Sequence, residues 1–496
     1  MMKYTKTSIL SLAVAILLGI AACGGGGGNG GLAGIGGTGI VAVGQITGFG
    51  SVFVNGVEYH LRPDSRLLVN GAQVGQDALR LGMVVSIDGS VDDSGRATIN
   101  RLSYSAEIRG PVVNNPSSTV SPDGRTKTLN VMGMTVQVDA LSTSFDHYSF
   151  DAMNQGDFVE VSGHIAGNGD LVATRIEKLD AQSGQEAILR GRIGRNGFVD
   201  QTHFRLQNVL VDFSNATFSP GTSLDGCLLE VRGSYDIPTQ TFNATRIACA
   251  DDGLPESAGE AELEGIVNNL TSVGFTLNGI TVDTTSAVLE PRNLALANGM
   301  TVEVEGSLSG GTLKAAKVKG RSGEIEMKAH VASVAGDNII LEITGNNSLS
   351  VTTDPALTRM EDELSDAPLS IADIRSDDFL EIEAVVTNNG SPMAQVVKRR
   401  NPASQVVLQG PVDIAPKPAL SGGILTLSVL GIPYTSSSST LFQVDDKAVS
   451  VNDFFNQIDT MLKTSTAPVI VKIKDELFGT TAGDGVAEEM ELKTGP

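Results

Sequence analysis

The chain has 496 residues, 35 Lys and Arg against 57 Asp and Glu, a formal net charge of −22, no Trp and 4% aromatic residues. That balance argues against a phosphate-backbone partner, because affinity for nucleic acid rests largely on clustered Lys and Arg that release counterions. The length exceeds the ~100 to 200 residues of one domain, and short alternating Val, Thr and Ile runs among plentiful glycines, with almost no long helical periodicity, point to several all-β domains.

The first element is a secretory signal: Lys3 and Lys6 give a positive start, and SILSLAVAILLGI gives an apolar core closed by small residues. The core is too short to cross ~30 Å of hydrocarbon as a helix of about 20 residues. The stretch IAAC, Ile20 to Cys23, resembles the bacterial lipobox. By that resemblance residues 1–22 are removed and Cys23 becomes the first residue of the mature chain, lipidated on its sulfur and its new amine. Several acyl chains on one residue anchor firmly, since each buried CH₂ contributes about 0.8 kcal/mol and one chain alone binds only marginally. Residues 23–38 are the lipidated cysteine and its tether, with Gly24 to Gly37 a random coil by composition. Gly24, rather than an aspartate, follows the cysteine, which in the lipoprotein sorting pattern implies the outer membrane, facing periplasm or surface. An acidic chain is repelled by anionic lipid, so the expected membrane contact is the lipid alone.

Beyond the tether a five-residue strand end recurs: VSIDG ending at Gly89, VEVSG at Gly163, LEVRG at Gly233, VEVEG at Gly306, LEIEA at Ala384 and VKIKD at Asp475, at intervals of 70 to 91 residues. Apolar residues alternate with Glu, Ser, Arg or Lys, the period of a strand with one buried face. Upstream of these copies lies a strand with a glycine near its middle (IRGPV, LRGRI, LEGIV, LQGPV) and then a hairpin such as SVFVNGVEYHL or FTLNGITVD. Asn55-Gly56 and Asn278-Gly279 suit a type I′ turn, which needs positive φ at both central residues. An irregular or short helical connection follows, then the marker strand, a polar turn and a last strand.

The repeats divide the chain into modules at 39–105, 106–180, 187–250, 260–320, 324–400 and 405–492, the last two divergent. Five strands with a connection between the third and fourth predict a tandem array of six small OB-like β-barrels, with a six-bladed propeller as the rival. Modules of this size bury only ~60% of their unfolded surface, so neighbours are expected to lean on one another across short linkers. The insertions RMEDELSDAPLSIADI and VNDFFNQIDTML in modules 5 and 6 read as partly helical.

The segment GIGGTGIVAVGQITGFGSVFVNGVEY, with the lipobox and the repeated V-E-V-x-G … A-x-x-I pairs, resembles the bacterial lipoproteins built from domain of unknown function 5666. The resemblance is strong over the first four modules and weak over the last two. It carries no activity over to any residue.

Chemistry is sparse. The histidines His60, His147, His164, His203 and His330 lie in different modules without metal-ligand spacing and read as solvated or turn residues. Asp146, His147 and Tyr148 are adjacent, but neighbours in a strand or loop point apart and no nucleophile accompanies them. No catalytic, cofactor or metal site is expected. The remaining cysteines, Cys227 and Cys249, bracket the closing hairpin of module 3, and export favours a disulfide between them over two buried free thiols. A turn centred on Pro238 would pair Leu229 with Ile247 and Val231 with Thr245, bringing the cysteines opposite at the open end, with Cα atoms ~4.4 to 6.8 Å apart.

Three functions remain. A non-catalytic binding or scaffold lipoprotein presents its modules to an envelope protein partner; a structural spacer or stalk holds nothing; an enzyme is least supported. Glycan and nucleic acid lose weight because few aromatics are available for stacking. Binding predicts an exposed aromatic or apolar patch, whereas a spacer predicts polar faces and extended geometry.

Overall fold

In the computed structural model the described residues are 39–493, apart from 92–95, 122–125, 181–185, 251–253, 256, 291–293, 295, 322–324, 366, 387–390, 446, 465–467 and 478. Residues 1–38, with Cys23 and the expected signal and tether, lie outside the described residues.

Each recurring marker is the fourth strand of a five-stranded ring. In module 4 the opening strand Ser257–Ile266 pairs antiparallel with the marker strand Thr301–Ser309, which pairs with the last strand Thr312–Gly320. The last strand runs parallel to the third, Ile280–Asp283; the third pairs with the second, Gly274–Leu277, and an Asn268–Thr276 bridge returns to the end of the first. This order, 1-2-3-5-4-1, is that of an OB-like barrel and not of an open propeller blade. Modules 1 and 5 close the same ring by strand ladders between their first and second strands.

The marker residue is glycine because the strand bulges there. Register shifts fall between Asp88 and Gly89, Ser162 and Gly163, Arg232 and Gly233, and Glu305 and Gly306. The bulge bends the marker strand around the barrel and presses it onto its partner: a Cβ at Gly163 would lie 2.1 Å from the Val172 carbonyl oxygen, and one at Gly306 2.2 Å from that of Lys314. Module 5 bulges between Glu383 and Ala384, where the backbone leaves room for a methyl group. The mid-strand glycine of the opening strand has a different cause. The first residue of the two-residue turn, at positive φ, folds back over it, so a Cβ at Gly265 would meet Asn278 Oδ1 at 2.6 Å and one at Gly110 would meet Met132 Sδ at 2.2 Å.

The barrels are fused in pairs, two of them between consecutive modules and one, module 1 with module 4, out of chain order. Modules 2 and 3 form one 13-stranded sheet, modules 5 and 6 another, and modules 1 and 4 a 12-stranded sheet. The 1–4 seam is a parallel ladder from Ile40↔Glu260 to Val43↔Leu263, whereas the other two seams are antiparallel, through Ile188↔Arg109 and Met327↔Leu408. Modules 2 and 3 share one hydrophobic core, as do 5 and 6. Module 5 also packs on modules 1 and 2: Arg359 donates to Gln45 Oε1 at 3.0 Å and to the Ser142 carbonyl at 2.6 Å, and Lys398 Nζ donates to the carbonyls of Ala140 and Thr143. Neighbours thus lean on one another in modules 2 and 3 and in 5 and 6, as expected, whereas module 1 pairs with the distant module 4.

In modules 2, 4 and 5 the marker strands are buried on more than one face: their apolar residues fill the barrels, and the alternate Glu160, Glu303 and Glu381 are buried too, as is Glu262 of the module 4 opening strand. They remain there because cations from other strands meet them: Lys319 Nζ lies 2.8 Å from Glu303, and Lys328 Nζ lies 2.8 Å from Glu381. Lys472 joins Glu326 of the module 5 opening strand in the same way, at 3.0 Å. Glu262 is left with one oxygen unpartnered, and burial, with Glu303 and Glu305 beside it, pushes its carboxyl up to about 8.

Of the two insertions, VNDFFNQIDTML lies within the α-helix Val451–Thr464, whose first turn is capped by Ser450 and whose Phe454 and Ile458 face the core. The other departs from expectation: Arg359–Asp362 is a strand parallel to the last strand of module 5, and only Ile371–Asp373 forms a 3₁₀ turn.

Candidate functional site

Modules 1 to 4 meet around one half-open cavity of about 340 Å³, within the ~300 to 1,000 Å³ usual for small-molecule sites. Its walls come from strand ends that the pairing of 1 with 4 and 2 with 3 brings together.

From module 2 comes His164, the residue after the marker glycine, which the bulge sets beside the cavity while the strand stays paired. It is 3% exposed and its Nε2 has no hydrogen-bond partner. The nearest carboxylate, Glu264, is 3.7 Å away and already accepts both the Gln45 backbone N–H and Gln45 Nε2 at 3.0 Å. Despite burial, the hydrogen bonds and the His164 ring hold the Glu264 carboxyl below its usual range.

From module 3 comes Arg190, on the buried opening strand next to Gly191. Its Nη1 donates to Glu107 Oε1 at 3.1 Å and to the Ser105 carbonyl at 3.3 Å, and its Nε is buried without a partner. Module 1 adds the hydroxyls of Ser86, Ser103 and Ser105 and the apolar Val84. Module 4 adds Asn268, which donates to the Ile165 carbonyl at 3.2 Å, and Asn278, which donates to the Glu264 carbonyl at 2.7 Å. These two amides tie module 4 to module 2 and hold the turn over its own opening strand. Among the described residues no Phe, Tyr or Trp lines the cavity. His164 Nε2 faces the Glu264 carboxylate, not a wall serine. The cavity is large enough to hold a small molecule.

Sequence reasoning placed no ligand site here. Its one available signal was positional: after the marker glycine modules 1, 3 and 4 carry Ser90, Ser234 and Ser307, and module 2 carries His164. The reading of all five histidines as solvated is corrected, since His164 and His330 are both buried. So is the separation of Asp146 from His147. His147 has φ +50°, which turns its ring back to Asp146 Oδ1 at 3.1 Å and near Glu177, while Tyr148 donates to Asp157 instead. Asp146 and Glu177 each pair with Arg175 at 2.7 Å, so the cluster is already neutralised by a cation.

Cys227 and Cys249 are joined by a disulfide with Cα atoms 5.7 Å apart. The hairpin register differs from the expected one: Leu229 faces Cys249 and Val231 faces Ile247, because the bulge at Gly233 and a turn centred beyond Pro238 shift the pairing, leaving Cys227 just outside the strand. The adjoining Leu228 belongs to the cavity wall.

Module 3 also carries a chain of four aromatic rings, Phe198, Phe204, Phe213 and Phe218, with successive centroids 6.3, 5.3 and 6.4 Å apart. Phe204 is in the core, whereas Phe198 and Phe218, with Val199, are about half exposed.

Ring order and cavity define the class: a multi-module protein of fused OB-like β-barrels. Residues 118–177 in module 2 and 264–319 in module 4 match the family model described as Domain of unknown function (DUF5666). No curated protein matches the chain. Among solved structures, a multidomain protein with nucleic acid binding domains from Streptococcus pneumoniae is similar at 10% identity over 44% of this chain and 73% of that one, with a TM-score of 0.12, a likeness that carries no argument.

Proposed function

We propose that the protein is a bacterial envelope lipoprotein, anchored through lipid on Cys23 at the outer membrane, and that it acts by binding, without catalysis, taking a small ligand in the junction cavity and offering the aromatic face of module 3 to an envelope protein partner. The convergence of four modules on one ligand-sized cavity carries this reading. A spacer has no use for a chain that returns after more than 200 residues to complete its first sheet, and the exposed Phe198 and Phe218 are what a protein-binding face requires. The absence of Phe, Tyr and Trp from the cavity wall and the charge of −22 weigh against a stacked glycan and against nucleic acid.

The test is native mass spectrometry of the Cys23→Ser protein recovered from its own envelope extract. Binding predicts a co-purifying small molecule that is absent from a Val84→Phe variant, in which a phenyl ring fills the cavity. Identical bare-chain masses for both proteins would leave the spacer as the better account.

A further inference from the structure

The exposed rings of module 3 restrict their partner further than its being a protein. Resting on the binding reading above, we infer that this face docks a short peptide segment in which apolar side chains adjoin Lys or Arg, the apolar part on Phe198, Val199 and Phe218 and the cation at Asp200 and Asp212.

The apolar part is held from below. Phe204 is fully buried in the core shared with module 2, Phe213 stacks on it with centroids 5.3 Å apart, and Phe198 and Phe218 meet these two edge-on at 6.3 and 6.4 Å. Rings fixed in this way lose little freedom when something lies on them. Size then limits the occupant. Phe198, Val199 and Phe218 are each about half exposed, together on the order of 300 Å² of apolar surface, well short of the ~800 Å² per partner of a standard interface. A folded second copy needs more than that, and two chains of charge −22 repel each other. A few residues of extended chain fit. The backbone agrees, since the strand Ile193–Phe198 is the outer strand of its 13-stranded sheet and its ladder, among the described residues, is with His203–Leu206 alone. An outer strand is a template for an added one.

The charge comes from the turn joining those two strands and from the strand that follows them. His203 lies between two carboxylates, its Nδ1 3.0 Å from Asp200 Oδ1 and its Nε2 3.9 Å from Asp212 Oδ2. Asp200 directly follows Val199 and Asp212 directly precedes Phe213, so both stand at the rim of the apolar surface. The Thr202 backbone N–H and the His203 ring hold the Asp200 carboxyl down at about 2, and Ser214 holds that of Asp212 below its usual range, so both stay ionised. One imidazole against two carboxylates leaves this end negative whether or not the ring carries a proton. Arg246, whose Nε donates to Ser219 Oγ at 3.3 Å, stands at the Phe218 end, which places the partner's cation at the Phe198 end.

Fluorescence anisotropy of labelled, end-blocked peptides with the purified Cys23→Ser protein tests this. The peptide KKLFL is expected to bind saturably, at least about tenfold tighter than EELFL, which reads the charge, or KKGSG, which reads the apolar anchor. Phe198→Ser with Phe218→Ser should reduce KKLFL to the level of KKGSG with the circular dichroism spectrum intact. Asp200→Asn with Asp212→Asn keeps the oxygens that accept the turn N–H groups and should weaken KKLFL about fivefold without weakening EELFL. Equal binding of KKLFL and EELFL, or undiminished KKLFL binding by the Asn pair, overturns the cationic assignment while leaving the face a protein-binding one. Absence of saturable KKLFL binding, or binding that survives the serine pair, overturns the inference outright. So does a dimer lost in the serine pair by sedimentation, which assigns the face to a second copy, or attachment to phosphatidylcholine vesicles lost in the same variant, which assigns it to lipid. The cavity ligand is read separately by the mass-spectrometric test above.

Discussion

Replacing Cys227 and Cys249 together by serine should lower the stability of modules 2 and 3 as a unit. The bridge spans 22 residues, and in the chain-entropy account a loop of that size restrains the unfolded chain by about 3 kcal/mol. How this reads as temperature depends on what unfolds. Phe204, Leu229, Val231 and Ile247 of module 3 lie in the same core as Ile108, Val136 and Val161 of module 2, so the cooperative unit is the pair. A pair of roughly 150 residues loses about 2 to 4 °C per kcal/mol, or about 6 to 12 °C here, whereas a lone module would lose about twice that. Scanning calorimetry of the Cys23→Ser protein, with and without the two further serines, measures the shift. Dithiothreitol should move the parent transition to match the serine variant. A shift below about 2 °C would refute the entropic argument, and one above about 20 °C would show module 3 unfolding alone despite the shared core.

Glu262→Gln should stabilise modules 1 and 4 by several degrees at pH 8.5 and hardly at all at pH 4. The buried carboxyl, pushed up to about 8 from an ordinary 4.5, keeps its proton when folded and loses it when unfolded, so its contribution falls as pH rises between those values; a pH-independent effect of the variant contradicts this. Gly163→Ala should cost about 1 to 3 kcal/mol by denaturant titration, since its Cβ meets the Val172 carbonyl; a neutral result means that the bulge relaxes freely. A protease cut within residues 180–186 should leave fragments that co-elute in gel filtration, because modules 2 and 3 share a sheet and a core, and their separation would contradict the fusion. Cys23→Ser should move the protein from the membrane to the soluble envelope fraction without changing its melting profile, and full membrane retention defeats the anchor.

The barrel order was legible because its constraints are local. A bulge needs glycine at one register, a two-residue turn needs positive φ, and both recur along the chain at similar spacing. Met132-Gly133 and Leu430-Gly431 make the same turn as Asn55-Gly56 without its familiar residues, and were harder to see. The pairing of module 1 with module 4 was illegible, since the Ile40–Val43 edge meets Glu260–Leu263 through main-chain groups that every sequence possesses. Alternation misled in one respect: it marks Glu160, Glu262 and Glu303 as solvent-facing, and their burial depends on other modules or strands that supply cations and walls. The cavity was hidden for the same reason, since its walls come together only when four modules are in place.

The parallel seam at Ile40–Val43 also orders events in time. One side of that strand is covered by Val84–Val91 almost as soon as module 1 is made, but the other waits for Ser257–Ile266. Until that strand is in place the edge is unpaired, with modules 2 and 3 lying between the two strands in sequence. Such an edge is a template for a second chain as much as for its own partner. Assembly is therefore bracketed: the first module stays unfinished until the fourth has joined it, and the junction cavity is complete only then.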